Sequence, residues 1–316
     1  MAAMDRLEAK GRVRWMEFCA MGSAISVVIE DQDHRAVLEE IPRWFTRWDR
    51  ALNRFFPQSE LARLNAEAGQ PRKVSATLWS ALETALCAAH WSEGLVAPTL
   101  LDAIESAGYD RSMGLTGDAP PSSMERATKR AHDWRRIQAD PITRTVTLPT
   151  TARVDLGGIA KAWAADRACA RLAAFGASMI DVGGDIAISA PRKNGAPWPV
   201  IIADPRKAGR ELRVLHVSKG GVATVGRDFR KWQQGGAWQE HILDPRTRTT
   251  AATDVLTATV VAETAVEADV AAKSIVLRGA REGLRWIEQQ EGLSAIVVTD
   301  AGEVRMSERV SPYLAA

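Results

Sequence analysis

Strand and helix patterns alternate irregularly along this chain, and their order limits the folds that it can adopt. The predicted helices are His34–Leu52, Ser59 to about Asn65, Ala76–Trp91, Pro98–Ala107, Ile159–Phe175, Val266–Leu277 and Ala280–Gln290. The predicted strands lie within Met16–Ile29 and at Thr145–Leu148, Ala152–Leu156, Met179–Val182, Ile186–Ser189, Val200–Ala203, Arg213–Val217, Gly221–Thr224, His241–Leu243, Leu256–Val261, Ala295–Thr299 and Val304–Met306. A doubly wound sheet needs regular alternation, so we predict an α+β (mixed α/β) fold with mixed sheets flanked by helices.

Length and composition are those of an ordinary globular protein with a substantial core. The chain has 316 residues, of which 46% are hydrophobic and 25% are charged. This length allows either two domains or one large unit. We expect residues 1–13 to form a flexible N-terminal tail and the Pro- and Ser-containing segment near 114–123 to be a linker-like loop.

Charge and cysteine content exclude several classes of partner. A net charge of +2 provides no strong electrostatic field, so we expect no nucleic-acid partner. The cysteines Cys19, Cys87 and Cys169 lack CxxC spacing and predict neither a disulfide framework nor a zinc site. The N-terminal residues contain no apolar h-region of a signal peptide, and no run reaches the roughly 18 apolar residues that span a bilayer. We therefore predict a cytoplasmic protein without membrane insertion.

The segment Val154–Asp166, VDLGGIAKAWAAD, has the pattern of a phosphate-binding corner. The pair Gly157 and Gly158 lies between a predicted strand and a predicted helix, where glycine lets the backbone turn and approach a ligand. The start of a helix attracts anions, and Lys161 lies in the first turn. Asp155 adds a hydrogen-bond acceptor beside these donors. The pattern predicts a ligand that contains a pyrophosphate.

A plain strand-to-helix turn has the same pattern, and both interpretations stay open. The segment lacks the third glycine of the dinucleotide-binding fingerprint, and the chain contains no P-loop. This excludes the two most familiar nucleotide-binding motifs.

Two further segments combine polar side chains with turn signals. Ile180–Ile186 places two glycines between Asp181 and Asp185, where we expect a strand bulge or the close approach of a ligand. His241–Thr247, HILDPRT, places an imidazole before a Pro turn. That imidazole of His241 is suited to general-base catalysis or to contact with a ligand, and a structural histidine is the alternative.

One carboxylate and two apolar loops complete the candidates. Asp269 begins a predicted helix and could be a hard oxygen ligand for Mg²⁺, or it could pair with Lys273 at i,i+4. The loops Phe55–Leu61 and Gly94–Thr99 could enclose a flat aromatic ligand or belong to the core.

Taken in order, these segments resemble the FAD:protein FMN transferase family over most of the chain. The resemblance is carried by Met21-Gly22, Ser59-Glu60-Leu61 with Asn65, Gly108-Tyr109-Asp110, Asp155–Lys161, Val182–Asp185, His241–Thr247, Ala268-Asp269 and Leu277-Arg278-Gly279. It implies a single large flavin-transferase-like domain at 14–312. It also implies an enzyme that uses Mg²⁺, takes FAD as substrate, transfers FMN to a threonine hydroxyl of an acceptor flavoprotein and releases AMP.

The resemblance also implies roles for particular residues. Asp155 and Lys161 would hold FAD, and the backbone carbonyl of Gly158 and the side chain of Asp269 would be ligands of the metal. The catalytic residues would be His241, which would activate the incoming hydroxyl, and Asp269. The residues that would line the flavin or adenine pocket are Met21, Phe55, Leu95, Val96, Ala97 and Ile242.

This chain departs from the family pattern at several of these positions. Family members usually carry Thr four residues after the metal-binding Asp, and this chain has Lys273. Val96-Ala97 replaces a Phe-Asp pair, Val225 stands within a usual Thr-Ser-Gly, and Arg248 replaces a glycine. Two other functions therefore stay open beside FMN transfer, namely an FAD pyrophosphatase that gives FMN and AMP, and a non-catalytic FAD-binding protein.

Overall fold

A computed structural model of the protein describes residues 14–30, 35–108, 134–227, 231–234, 237–240 and 242–314. The chain divides into two compact units. Unit 1 comprises Met1–Phe45, Lys161–Gly226 and Thr253–Ala316, and unit 2 comprises Thr46–Ala160 and Arg227–Ala252. The predicted tail at 1–13 and the predicted loop at 114–123 lie outside the described residues.

Unit 1 is built on an eight-stranded sheet with the strand order β1-β2-β6-β7-β10-β15-β16-β17. Its strands are β1 (Arg14–Ala20), β2 (Ser23–Glu30), β6 (Ala177–Val182), β7 (Asp185–Ile188), β10 (Gly220–Gly226), β15 (Val255–Ala262), β16 (Ser294–Thr299) and β17 (Val304–Met306). Each neighbouring pair in this sheet is antiparallel. The predicted α+β class is confirmed, with antiparallel pairing in place of mixed strand directions.

The described α-helices follow the sequence patterns closely. They are α1 (Arg35–Leu52), α2 (Glu60–Ala66), α3 (Ala76–Trp91), α4 (Leu101–Ser106), α5 (Ala160–Leu172), α6 (Ala265–Arg278) and α7 (Ala280–Glu288). Ser59 caps α2 by accepting from the Ala62 N–H, as its position predicts. Thr264 and Glu267 form a capping box at the start of α6. No helix among the described residues is long and apolar enough to cross a membrane.

The sheet of unit 1 is covered on both faces. A hairpin of β8 (Trp198–Ala203) and β9 (Glu211–Val217) contributes Trp198 to a buried cluster that also contains Val222 of β10. The residue before Val222 points to the other face, where a Cβ on Gly221 would lie 2.2 Å from the Ala265 nitrogen. Helix α6 therefore begins directly on β10, on the face opposite the hairpin.

Unit 2 contains α2, α3 and α4 and three small sheets. One sheet has the order β3-β5-β4, and two hairpins pair β11 with β12 and β13 with β14. These strands are β3 (Arg72–Lys73), β4 (Gln138–Asp140), β5 (Thr145–Thr147), β11 (Lys231–Gln234), β12 (Ala237–Glu240), β13 (Leu243–Asp244) and β14 (Thr249–Thr250). The buried side chains of α2 and α3 include Leu61, Leu64, Leu78 and Leu82.

Two glycine-containing segments form tight hairpin turns. Met16–Ile29 is two strands, β1 and β2, joined over Met21 and Gly22, which have φ of +52° and +68°. The glycines Gly183 and Gly184 join β6 to β7 with φ of +63° and +95°. Two consecutive residues with positive φ are typical of a tight hairpin turn, so the expected bulge at 180–186 is wrong.

Candidate functional site

The corner at Gly157-Gly158 belongs to unit 2 and is not preceded by a strand. Ala152–Leu156, predicted as a strand, pairs with no other strand among the described residues. Instead the side chain of Asn65 donates to the Val154 carbonyl at 2.8 Å and accepts from the Val154 N–H at 2.7 Å. The Asp155 N–H donates to the Pro98 carbonyl at 2.8 Å. Side-chain and loop groups thus supply the partners that a neighbouring strand would have supplied.

The glycines of this corner are not required by the backbone. Neither Gly157 nor Gly158 has a positive φ, and both are exposed. A Cβ on Gly158 would meet nothing within 4 Å, whereas one on Gly157 would lie 3.1 Å from the Asp155 carboxylate. The expectation that a tight turn needs glycine here is therefore wrong.

Asp155 is held by an arginine that the sequence patterns did not reveal. The Arg54 Nε lies 3.4 Å from the Asp155 Oδ1, and the two side chains are only 6% and 12% exposed. The Arg54 guanidinium also lies over the Phe55 ring, 4.4 Å from its centroid. An aromatic ring, a cation and a carboxylate therefore lie side by side in unit 2.

The loop at Leu95–Ala97 is part of the same unit and is internally fixed. Leu95 and Val96 are buried, and Ala97 is half-buried. The Val96 N–H donates to the Ser92 hydroxyl at 2.9 Å. These positions are consistent with either of the two roles expected for the loop, pocket wall or core.

Two lysine–aspartate pairs lie together in unit 1. The Lys161 ammonium, in the first turn of α5, donates to the Asp185 carboxylate at the start of β7. The Lys273 ammonium donates to the Asp269 carboxylate one turn earlier on α6. In each pair the carboxylate side chain is 4% exposed and the lysine side chain is 21–22% exposed. The lysine side chains are therefore partly exposed, whereas the carboxylates are buried.

The four charges of these pairs influence one another. Burial raises the pKa of Asp269 to about 6, the Lys273 and Lys161 ammonium groups oppose this rise, and the Asp185 carboxylate adds to it. Asp185 is thus a member of this cluster, although the sequence patterns gave it no role. We name Lys161, Asp185, Asp269 and Lys273 the lysine–aspartate cluster.

The remaining predicted residues are placed as follows. Met21 lies in the β1–β2 turn of unit 1 and is half-buried. Ile242 is buried in unit 2, where its carbonyl accepts from the Ala251 N–H at 3.0 Å. His241, Tyr109 and Asp110 lie outside the described residues.

Asp166 tethers α5 to the start of α6 within unit 1. Its carboxylate oxygens accept from the Ala265 and Val266 N–H groups at 2.8 and 3.0 Å. Burial raises the pKa of Asp166 to about 6, and the charges of Glu267 and Asp185 add to the rise. A carboxylate of the neighbouring helix therefore satisfies two amides at the helix terminus.

We expect the pKa of Asp166 to make stability depend on pH. The pKa of Asp166 is about 6 in the folded protein and 3.8 in the unfolded chain. Its contribution to the free energy of unfolding is therefore fully present below about pH 4 and is lost as the pH rises through 6. Two pKa units correspond to about 3 kcal/mol. Urea unfolding from pH 4 to 7 should show this slope, to which Asp269 contributes in the same direction. Asp166→Asn should have a smaller slope, and an equal slope in both proteins would contradict the assignment.

The chain has the fold of solved ApbE structures. The crystal structure of the ApbE protein of Thermotoga maritima superposes with a TM-score of 0.86 at 23% identity and covers 96% of this chain and 100% of that chain. The flavin transferase ApbE of Vibrio cholerae gives a TM-score of 0.79 at 23% identity, with 96% and 99% coverage.

The family model of ApbE matches residues 21–297, and the chain belongs to the ApbE family. The FAD:protein FMN transferase of Treponema pallidum (strain Nichols) is 29% identical over 287 residues, which is 86% of this chain and 79% of that protein. The FAD:protein FMN transferase of Vibrio cholerae is 25% identical over 292 residues, covering 89% and 86%.

Proposed function

We propose that this chain is a flavin transferase that takes FAD and attaches FMN to an acceptor flavoprotein. Membership of the ApbE family over residues 21–297 supports the reaction class. The observation that carries the proposal is the position of Lys161, which lies in the first turn of α5 with a partly exposed side chain. A helix N-terminus and an ammonium group together attract a diphosphate.

In this reaction a hydroxyl oxygen of the acceptor, which we propose is a threonine, attacks the phosphorus of the FMN half of FAD. The bond between that phosphorus and the bridging oxygen breaks, and AMP leaves with the electron pair. The hydroxyl proton passes to a base, for which we propose His241. Lys161 and the start of α5 stabilise the negative charge that builds up on the diphosphate. Asp155 would hold FAD, with Met21, Phe55, Leu95, Val96, Ala97 and Ile242 as candidate contacts of its rings.

The resemblance also predicts Mg²⁺, with the Asp269 carboxylate and the Gly158 carbonyl as ligands. Mg²⁺ prefers carboxylate oxygens that are available to it. The Asp269 carboxylate accepts from Lys273, and no group of three or more His, Cys, Asp or Glu side chains in the described part of the chain is arranged for a metal. These side chains fit a divalent cation poorly, so we assign each step of the reaction to the chain's own residues. The cytoplasmic location stays a prediction.

Mass spectrometry of a threonine-containing acceptor, incubated with the chain, FAD and Mg²⁺, tests the proposal. We expect the acceptor mass to rise by FMN less one water, with one AMP released per adduct. Free FMN and AMP without an adduct would instead identify the pyrophosphatase, and intact bound FAD would identify the non-catalytic binding protein. Either result overturns the proposed transfer.

His241→Ala should reduce the rate of transfer far more than the affinity for FAD. Loss of a general base typically lowers a rate by about 10²- to 10⁴-fold. FAD affinity is measured by flavin fluorescence and transfer by adduct formation, with His216→Ala on β9 as the control. An equal loss of rate and affinity would make His241 a binding residue.

A further inference from the structure

The lysine–aspartate cluster contains two carboxylates and two ammonium groups. Its two carboxylates belong to Asp185 and Asp269, which are 3% and 2% exposed. Asp185 accepts from Lys161, and Asp269 accepts from Lys273. Helix α6, which carries Asp269 and Lys273, packs against β7, which begins with Asp185. Within these two pairs each carboxylate is matched by an ammonium group, and the Asp166 and Asp181 carboxylates also interact with Asp185. The lysine side chains are the more exposed members of the cluster.

This arrangement does not suit a divalent cation, because the Asp269 carboxylate is already bound by the Lys273 ammonium. A metal ion at Asp269 would have to displace Lys273 from a buried carboxylate and would then lie beside a displaced ammonium group. A diphosphate needs no such displacement, because its anionic oxygens can accept from the outer hydrogens of both ammonium groups. An ammonium group has three donors, so it can donate to an aspartate and to a phosphate oxygen at the same time.

We propose that Lys273, together with Lys161, binds the diphosphate of the flavin nucleotide directly, so that FAD binding by this chain needs no divalent cation. The proposal rests on the proposed function for the identity of the ligand. In this chain the ammonium group of Lys273 on α6 would neutralise the diphosphate in place of a bound metal ion. Asp269 then positions Lys273 and does not serve as a metal ligand.

The FAD affinity of this chain, measured by flavin fluorescence in EDTA and in millimolar Mg²⁺, tests the proposal. We expect the same Kd in both for the wild-type chain, within about twofold. Lys273→Met should weaken binding in EDTA by about tenfold or more, which corresponds to the loss of one hydrogen bond to a charged group. Lys219→Met, which removes an exposed lysine before β10, should leave the Kd unchanged.

Lys273→Thr provides the converse test. Removing the ammonium leaves the Asp269 carboxylate available, so we expect FAD to bind at least tenfold more tightly in Mg²⁺ than in EDTA. Mn²⁺ titrations followed by electron paramagnetic resonance should show binding to Lys273→Thr and none to the wild-type chain. In Asp269→Asn/Lys273→Thr the Mg²⁺ effect should disappear.

The proposal is overturned if the wild-type chain loses tenfold or more of its FAD affinity in EDTA, or if it binds one Mn²⁺ per chain. These wild-type measurements decide the question even where a variant does not fold. Failure of the proposed function is separate: FAD that binds in EDTA without transfer would leave this inference standing and remove the transfer activity. If EDTA abolished both FAD binding and transfer in a chain that transfers FMN in Mg²⁺, this inference would fail and the proposed function would stand.

Discussion

Lys161→Met is expected to lower FAD affinity by about 10- to 100-fold, since a hydrogen bond to a charged group contributes roughly 1.5–3 kcal/mol. The same change leaves the buried Asp185 carboxylate without the ammonium that now binds it. We therefore also expect the free energy of unfolding to fall by about 2–3 kcal/mol. This is no more than the loss typical of breaking a fully buried ion pair, because the Lys161 side chain is partly exposed. Fluorescence titration with FAD and urea unfolding measure the two effects.

The double variant Lys161→Met/Asp185→Asn separates these two roles. It removes both charges, so that no isolated carboxylate is buried, and stability should return towards that of the wild-type chain. FAD affinity should stay low because the ammonium is still missing. If the double variant regained both stability and affinity, Lys161 would be a purely structural residue.

Gly221→Ala is expected to destabilise the protein by about 3 kcal/mol or more, at the upper end of overpacking effects. The added Cβ would lie 2.2 Å from the Ala265 nitrogen and 2.2 Å from the Thr264 carbonyl carbon. Both neighbours are backbone atoms at the start of α6, and they cannot rotate away as the end of a side chain would. To make room, α6 must move off β10, and Asp269 and Lys273 must move with it.

Gly158→Ala is the matched control for this change. Its Cβ would meet nothing within 4 Å, so stability should stay within about 1 kcal/mol of the wild-type value. Urea unfolding of the two variants gives the comparison, and a Gly221→Ala protein as stable as Gly158→Ala would contradict the packing argument. Any loss of FAD affinity in Gly158→Ala then reports the approach of the ligand, because the protein itself has room for the methyl group.

Most elements could be predicted because their signals are local. Helix α3 occupies the predicted Ala76–Trp91, and the Ser59 cap lies where its side chain can reach an amide three residues later. Strand β15 extends the predicted Leu256–Val261 by one residue at each end. In these segments periodicity and end signals agree, so no distant contact is needed to define them.

The failures came from contacts between residues far apart in sequence. Val154 is bound by Asn65, 89 residues away, and this pairing replaces the strand that the β-rich composition predicted. The double glycine at 157–158 suggested a turn that requires glycine, yet neither residue has a positive φ, whereas Gly183 and Gly184 both do. At Gly221 glycine is needed because a helix lies against the strand, and no local pattern indicates that.

The candidate site shows the same division. The Asp269–Lys273 pair was foreseeable from its i,i+4 spacing, and the structure contains it. The Lys161–Asp185 pair spans 24 residues and depends on the β6–β7 hairpin, so it could not be read from spacing. Arg54, which holds Asp155, lies in no recognisable motif.

Helix α5 has a consequence for how the two lysines respond to a ligand. It carries Lys161 near its start, and its Asp166 fastens the first amides of α6, the helix that carries Lys273. This clamp joins the two helices end to side without passing through the sheet. We therefore expect a shift of either helix to be transmitted to the other, so that the two ammonium groups change position together.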